Sequence, residues 1–273
     1  MNRGTMPGNS SGTPGLRKLI DLLSGMESAV IAYSGGVDST FLVKAAVLSG
    51  MRAAAVTAVS PTMPEHDFED AREMAKTIGV HHMIIDTAEL GDADFVRNPV
   101  DRCFYCKNEL FGRLREIALS GGYRFVLDGS NLDDNEDWRP GRKAAAKHGV
   151  RSPLIEAGMR KEEIRRCSRE LGLPTWNKPA SPCLSSRFPY GTPITAEALR
   201  QVGEAEKFLR SLGLDELRVR HCNETARIEV TEEAIPRILS SDTRRAVVEK
   251  LKALGYRFIS LDLEGFRSGK LNG

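Results

Sequence analysis

The run Ala29-Val30-Ile31-Ala32 is apolar and strand-like, and Phe41, Leu42, Ala45 and Ala46 recur soon after at helical spacing. Between them lies Ser34-Gly35-Gly36-Val37-Asp38-Ser39-Thr40, so a strand must end and a helix begin within one tight turn. That junction constrains the chain more than any other feature. The first N–H groups of a helix lack intrahelical partners and the helix dipole is positive there, so an anion is favoured at this end. Gly35 and Gly36 keep no side chain between a phosphate and the backbone, and Ser34, Ser39 and Thr40 add hydroxyl donors near the acidic Asp38.

The same alternation continues downstream. Strands are expected at 29–34, 53–60, 82–87 and 124–129, with helices from 38, near 65–78, near 107–119 and from Pro140 to Lys147. This order predicts an α/β fold, a doubly wound parallel sheet covered by helices, with ligands at the carboxyl ends of the strands. The loops after Ser34, Ala58 and Asp128 are expected to share a cleft, with Thr57 or Ala58 near an adenine and Gly129 near ribose or phosphates. After Gly191 the pattern changes to a helix at 195–211, strands at 216–222 and 226–231, a helix at 240–254 and a strand at 257–263. We therefore expect a disordered tail over 1–15, a nucleotide-binding domain over 16–190 and a small α+β domain over 191–273.

The turn has no Gly-Lys-Ser/Thr ending and no GxGxxG spacing, which separates it from Walker loops and dinucleotide folds. It resembles the PP-loop of ATP pyrophosphatases, adenine nucleotide alpha hydrolase-like proteins. The resemblance implies ATP as cofactor and its cleavage to AMP and pyrophosphate.

Composition narrows the partners. In 273 residues the formal net charge is only +2, with basic and acidic side chains interspersed, so no stripe suited to nucleic acid is present. No apolar run approaches a membrane span, and the Gly/Ser/Pro-rich start lacks the apolar centre of a signal peptide. A cytoplasmic location is expected, and five cysteines then suggest metal or thiol chemistry over a disulfide framework.

Two polar constellations carry that chemistry. In Asp128-Gly129-Ser130-Asn131-Leu132-Asp133-Asp134-Asn135-Glu136-Asp137 the carboxylates, Asp133 and Asp134 among them, either hold Mg2+ against ATP phosphates or cap the next helix. Cys103 and Cys106 form a CxxC turn, and Cys183 follows far downstream between Pro182 and Leu184. Three thiolates on an iron-sulfur cluster leave one iron open to an external ligand. A structural zinc completed by Cys167, Cys222 or a histidine, or a dithiol redox pair, uses the same residues; Cys167 itself reads as a packed helical thiol. Lys107 and Arg187 could lower a thiol pKa or stabilise an oxyanion, or be ordinary solvated cations. Arg218 and Arg220, two apart on a strand, share a face that suits a phosphate or simply meets solvent.

Taken together, SGGVDS, NPVDRCFYCK, DGSNLDD with WRPG, PCLSSRFPYGTPIT, LRVRHCNETARIEV and LDLEGFRSG resemble the LarE family, ATP-dependent sulfur transferases of nickel-pincer cofactor synthesis. The resemblance implies a small-molecule substrate, pyridinium-3,5-dicarboxylate mononucleotide, whose carboxylates are adenylated and become thiocarboxylates. It also implies two sulfur sources: sacrifice of the cysteine matching Cys183, or a 4Fe-4S cluster on Cys103, Cys106 and Cys183 fed by a sulfide donor. The CxxC places this chain with the second group. It further favours Arg218 and Arg220 as the substrate-phosphate site, with Glu206, Glu229 and Arg267 as weaker candidates. A homo-oligomer without nucleic acid or membrane partners is expected. A tRNA-thiolating enzyme and a non-enzymatic nucleotide sensor are the competing classes; balanced charge and the third cysteine argue against them.

Overall fold

A computed structural model describes residues 13–135 and 139–267. Met1 to Gly12 of the expected tail, together with Glu136, Asp137 and Trp138, lie outside the described residues. The elements run α1 (Pro14–Ser24), β1 (Ser28–Ala32), α2 (Val37–Leu48), β2 (Arg52–Val59), α3 (Glu65–Ile78), β3 (His81–Asp86), α4 (Ala93–Val96), α5 (Arg102–Ser120) and β4 (Phe125–Leu127). Then come α6 (Gly141–Lys147), α7 (Pro153–Glu156), α8 (Lys161–Glu170), α9 (Ala196–Ser211), β5 (Leu217–Cys222), β6 (Thr225–Val230), α10 (Ile235–Leu239), α11 (Ser241–Ala253) and β7 (Phe258–Leu261).

The chain divides into two compact units. The first takes residues up to Ala58, Asp67–Asp86 and Lys107–Ser181; the second takes Val59–His66, Thr87–Cys106 and Pro182–Gly273. The second unit therefore draws on two short earlier segments as well as the C-terminal part.

In the first unit the sheet order is β3-β2-β1-β4, and β1 runs parallel to both β2 and β4. Strand order reverses between β1 and β4, which is where an open α/β sheet leaves a crevice beyond its carboxyl ends. The expected doubly wound fold is present. Its core is built from the continuous apolar faces of β1 and α2, including Ile31, Phe41, Leu42 and Val43, closed by Leu19 and Leu23 of α1. Helix α1 starts at Pro14 under a Thr13 cap whose hydroxyl accepts from Leu16 N, so Pro14 and Gly15 form a helical turn where a tail was expected.

The second unit holds a sheet of order β5-β6-β7, antiparallel between β5 and β6 and parallel between β6 and β7. Asn223 makes the hairpin with a left-handed backbone (φ 54°), a conformation that asparagine tolerates. Val219, Ile228, Val230, Leu209 and Leu251 close its core. A separate apolar cluster gathers Phe95, Leu184, Phe188, Ile194, Leu199 and Val202, with Tyr105 and Cys106 packed against it.

Candidate functional site

In the first unit the loop expected to bind phosphate is braced by its own hydroxyls. Ser34 Oγ and Ser39 Oγ lie 3.2 Å apart, Ser34 N donates to Ser39 Oγ (3.3 Å) and Gly36 N donates to Ser34 Oγ (3.4 Å). Thr40 is buried, and its amide closes the first turn of α2 on Gly36 O (3.0 Å). The two glycines are needed for different reasons. Gly35 has φ 70°, and a Cβ there would fall 2.7 Å from Ala71 Cβ of α3; a Cβ on Gly36 would meet only Ser34 Oγ, at 3.4 Å. Gly129, beyond β4, packs backbone to backbone on this loop, since a Cβ would sit 3.0 Å from Ser39 N. Thr57 is buried with its hydroxyl donating to Tyr33 O (2.9 Å) and lying 2.8 Å from His82 Nε2.

Around the loop the charges are mostly paired. Asp38 Oδ2 accepts from Lys161 Nζ (2.5 Å), while its other oxygen is buried without a partner. Asp133 accepts from Lys161 N (2.8 Å) and Arg160 Nη1 (2.5 Å); these bonds, the backbone one foremost, hold its carboxyl below the usual range. Asp134 is buried, accepts from Asn131 N (3.0 Å) and Arg139 Nη2 (2.7 Å), and is pushed up by loss of solvent. Among the described residues no three of His, Cys, Asp and Glu form a ready-made metal group. The orphaned Asp38 oxygen is a hard donor of the kind Mg2+ takes when ATP phosphates and waters complete its shell. Lys161 was missed in the sequence because 123 positions separate it from Asp38.

All three cysteines of the constellation belong to the second unit. Cys103 and Cys106 were expected in a turn, but they occupy the first turn of α5, three apart and hence on one helix face. Cys103 and Cys183 are exposed and Cys106 is half-buried. The Cys183 segment is pinned by its backbone: Leu184 N donates to Thr62 O (2.7 Å), Arg187 Nη1 to Pro182 O (2.7 Å) and Cys183 O (3.3 Å), and Arg220 Nη1 to Ser186 O (2.8 Å). It is also stitched to the segment before α5. Asn98 Nδ2 donates to Pro189 O (2.8 Å) and Thr192 O (3.1 Å), Gly191 N donates to Asn98 O (2.9 Å), and Arg102 Nη1 donates to Asn98 Oδ1 and to Ser185 O (3.1 Å). Soft thiolates are the ligand type an iron-sulfur cluster takes, but among the described residues these three are not gathered into a metal-binding group. Lys107 is exposed, its ammonium 5.5 Å from the Phe111 ring of its own helix. Cys167 is the buried thiol expected, 3.3 Å from Thr13 Oγ1 and raised in pKa by burial.

Beneath the Cys183 segment lies a buried cluster of charge. Arg187 forks onto Glu206 (2.8 and 2.9 Å) and Arg220 forks onto Glu229 (2.9 and 2.8 Å), all four nearly solvent-free. Arg218 is only 5% exposed, yet no described carboxylate pairs with it. Its guanidinium stacks 5.0 Å from the Phe266 ring, and burial, reinforced by Arg187 and Arg220, lowers its pKa to about 10. Neither Arg218 nor Arg220 is on a solvent-facing surface. Arg210 and Arg227 add further positive charge at 3.4 Å from Glu206 and Glu229. Asp262 lies 3.5 Å from Arg227, and the guanidinium groups still outnumber the carboxylates, a surplus that suits an anion. Arg267 is exposed beside Phe266.

Comparison with known proteins accords with this geometry. No protein-family profile matches the chain. It is 41% identical over 256 residues to pyridinium-3,5-bisthiocarboxylic acid mononucleotide synthase of Lactiplantibacillus plantarum, covering 93% of this chain and 92% of that protein. An uncharacterized protein of Synechocystis is 46% identical over 258 residues, 94% of this chain and 96% of its own length. Among solved structures, the NMN synthetase of Francisella tularensis superposes with a TM-score of 0.52 at 18% identity over 86% of this chain and 95% of that one, which shows a shared fold.

Proposed function

The chain belongs to the LarE family of PP-loop, ATP-dependent sulfur transferases, and on that premise we propose that it adenylates the carboxylates of pyridinium-3,5-dicarboxylate mononucleotide and converts them to thiocarboxylates. The observation that carries the reading is Arg218, a buried cation without a carboxylate partner in the cluster beneath the Cys183 segment. A mononucleotide phosphate supplies the missing anion, and Arg220 and Arg187, already committed to Glu229 and Glu206, hold the strand and the cysteine segment around it.

Chemistry requires the nucleotide step first. A carboxylate does not expel oxide, so its oxygen attacks the α-phosphorus of ATP, pyrophosphate leaves, and the acyl-adenylate then carries AMP as a good leaving group. Backbone amides and hydroxyls of Ser34 to Ser39 receive the phosphates at the N-terminus of α2. Through its unpartnered oxygen Asp38 would hold Mg2+, which would supply charge neutralisation on the triphosphate, and Lys161, bonded to the other Asp38 oxygen, adds positive charge beside the loop. In the second step a sulfur nucleophile attacks the activated carbonyl and AMP departs, leaving a thiocarboxylate.

Cys103, Cys106 and Cys183 would hold a 4Fe-4S cluster, which supplies transferable sulfide and is replenished by a sulfide donor. The exposed Val100, Phe258 and Leu263 support a homo-oligomer. No helix of the described residues is long and apolar enough to cross a membrane. Anaerobic iron and acid-labile sulfide analysis, paired with intact-protein mass after turnover, tests the sulfur source. Cluster iron in the wild type, lost in each single Cys→Ser variant together with sulfur transfer, is expected. Dehydroalanine at Cys183, with activity retained in a Cys103→Ser, Cys106→Ser variant, would replace the cluster by sacrifice of Cys183.

A further inference from the structure

The CxxC helix and the Cys183 segment lie far apart in sequence, and the Arg102 side chain bonds directly between them. Arg102 precedes Cys103 by one position, and its Nη1 reaches Ser185 O (3.1 Å), two residues beyond Cys183. The same nitrogen donates to Asn98 Oδ1, and Asn98 is itself fastened to Pro189 and Thr192. Cys106 packs against the apolar cluster that contains Leu184 and Phe188, so apolar contacts draw the same two segments together.

Arg102 is an expensive choice for a mere fastener. It is 6% exposed, its hydrogen-bond acceptors are a neutral carbonyl and a neutral amide, and no described carboxylate pairs with it. Its guanidinium also lies 5.9 Å from the Tyr190 ring, yet burying it on neutral partners alone costs free energy that an apolar side chain of similar length would avoid. Asn98, with Val96 O accepting from Ile194 N (2.9 Å), already secures the two segments away from the thiols. What Arg102 adds is a rigid tie at the point nearest the cysteines.

We propose that Arg102 is a positioning residue for sulfur transfer, setting the start of the Cys103–Cys106 helix against the Cys183 segment. This rests on the sulfur-transfer reading above, but not on which sulfur source operates. Its effect falls on transfer and not on adenylation, because the phosphate loop is assembled from other residues.

Both half-reactions are to be measured with ATP and the dicarboxylate mononucleotide: pyrophosphate release for adenylation, thiocarboxylate formed per chain for transfer. Arg102→Met should slow transfer at least about tenfold, the scale on which small misplacements act, with adenylation at the wild-type rate. Arg102→Lys, which retains a donor but not the planar fork, should recover part of the loss. Wild-type transfer in Arg102→Met overturns the proposal. If Arg102→Met loses both half-reactions through misfolding, Arg102→Lys decides: transfer reduced with adenylation intact supports the role, while wild-type transfer or equal loss of both reactions overturns it. Iron analysis of the wild type separates the two readings, since an iron-free enzyme that still transfers sulfur removes the cluster and leaves every Arg102 outcome readable through Cys183.

Discussion

At the scale of single residues, Gly35 and Gly36 are adjacent and identical, yet their surroundings demand different things. A methyl at Gly35 would clash with Ala71 on a backbone of φ 70°, so Gly35→Ala should destabilise the protein by about 1–3 kcal/mol, read from the denaturation midpoint. Gly36→Val should leave that midpoint near wild type and abolish adenylation, because its side chain would enter the open space proposed for phosphate. The sequence made both glycines legible as phosphate-loop residues, but the helix that closes on Gly35 is remote in the chain. Arg218 and Arg220 differ in the same way: their spacing revealed a shared face, and only tertiary contacts distinguish the guanidinium engaged by Glu229 from the one left without a carboxylate. Arg218→Met should therefore weaken binding of the mononucleotide at least about tenfold while leaving the ligand-free protein as stable as wild type or more so. Calorimetric titration and a thermal melt of the same variant check the two halves.

Elements were legible where apolar runs are long. The four strands of the first sheet and α2, α3 and α9 stand close to their expected positions because burial dictates their pattern. Helix α5 begins five residues before the expected start, since Cys103-Phe104-Tyr105-Cys106 reads as a metal turn in sequence, whereas Tyr105 and Cys106 pack against the apolar cluster that holds Phe95 and Phe188. Helix α3 carries a contribution invisible in its periodicity. Its buried Asp67 accepts from Ser181 Oγ (2.5 Å) and pairs with Lys178 Nζ (3.1 Å), fastening the chain just before Cys183. Burial would lower the Lys178 pKa, but Asp70 and Asp67 overcome it and the net shift is upward. A lysine with a raised folded-state pKa lends stability fully below its unfolded value and loses it as pH rises through the folded one. Asp67→Asn should thus cost about 1–3 kcal/mol at neutral pH, with the gap to wild type narrowing as pH rises above the ordinary lysine range; unfolding melts across pH test this.

For the whole molecule, a boundary near 190 was the natural reading of a change from βα alternation to a small α+β pattern. Compactness divides the chain after Ser181 and adds 59–66 and 87–106 to the second unit, an interleaving that no local composition records. The consequence is functional. The residues proposed to receive ATP gather in the first unit, and the cysteines gather with the guanidinium cluster in the second, so activation and sulfur delivery should be separable in mutants. The central claim is that ATP activates the carboxylate itself through its α-phosphorus. The most direct test supplies substrate whose carboxylates carry heavy oxygen, and follows the label. Our account predicts AMP bearing one heavy oxygen for each thiocarboxylate formed, with unlabelled pyrophosphate; ADP with labelled orthophosphate, or thiocarboxylate formed without labelled AMP, would contradict it.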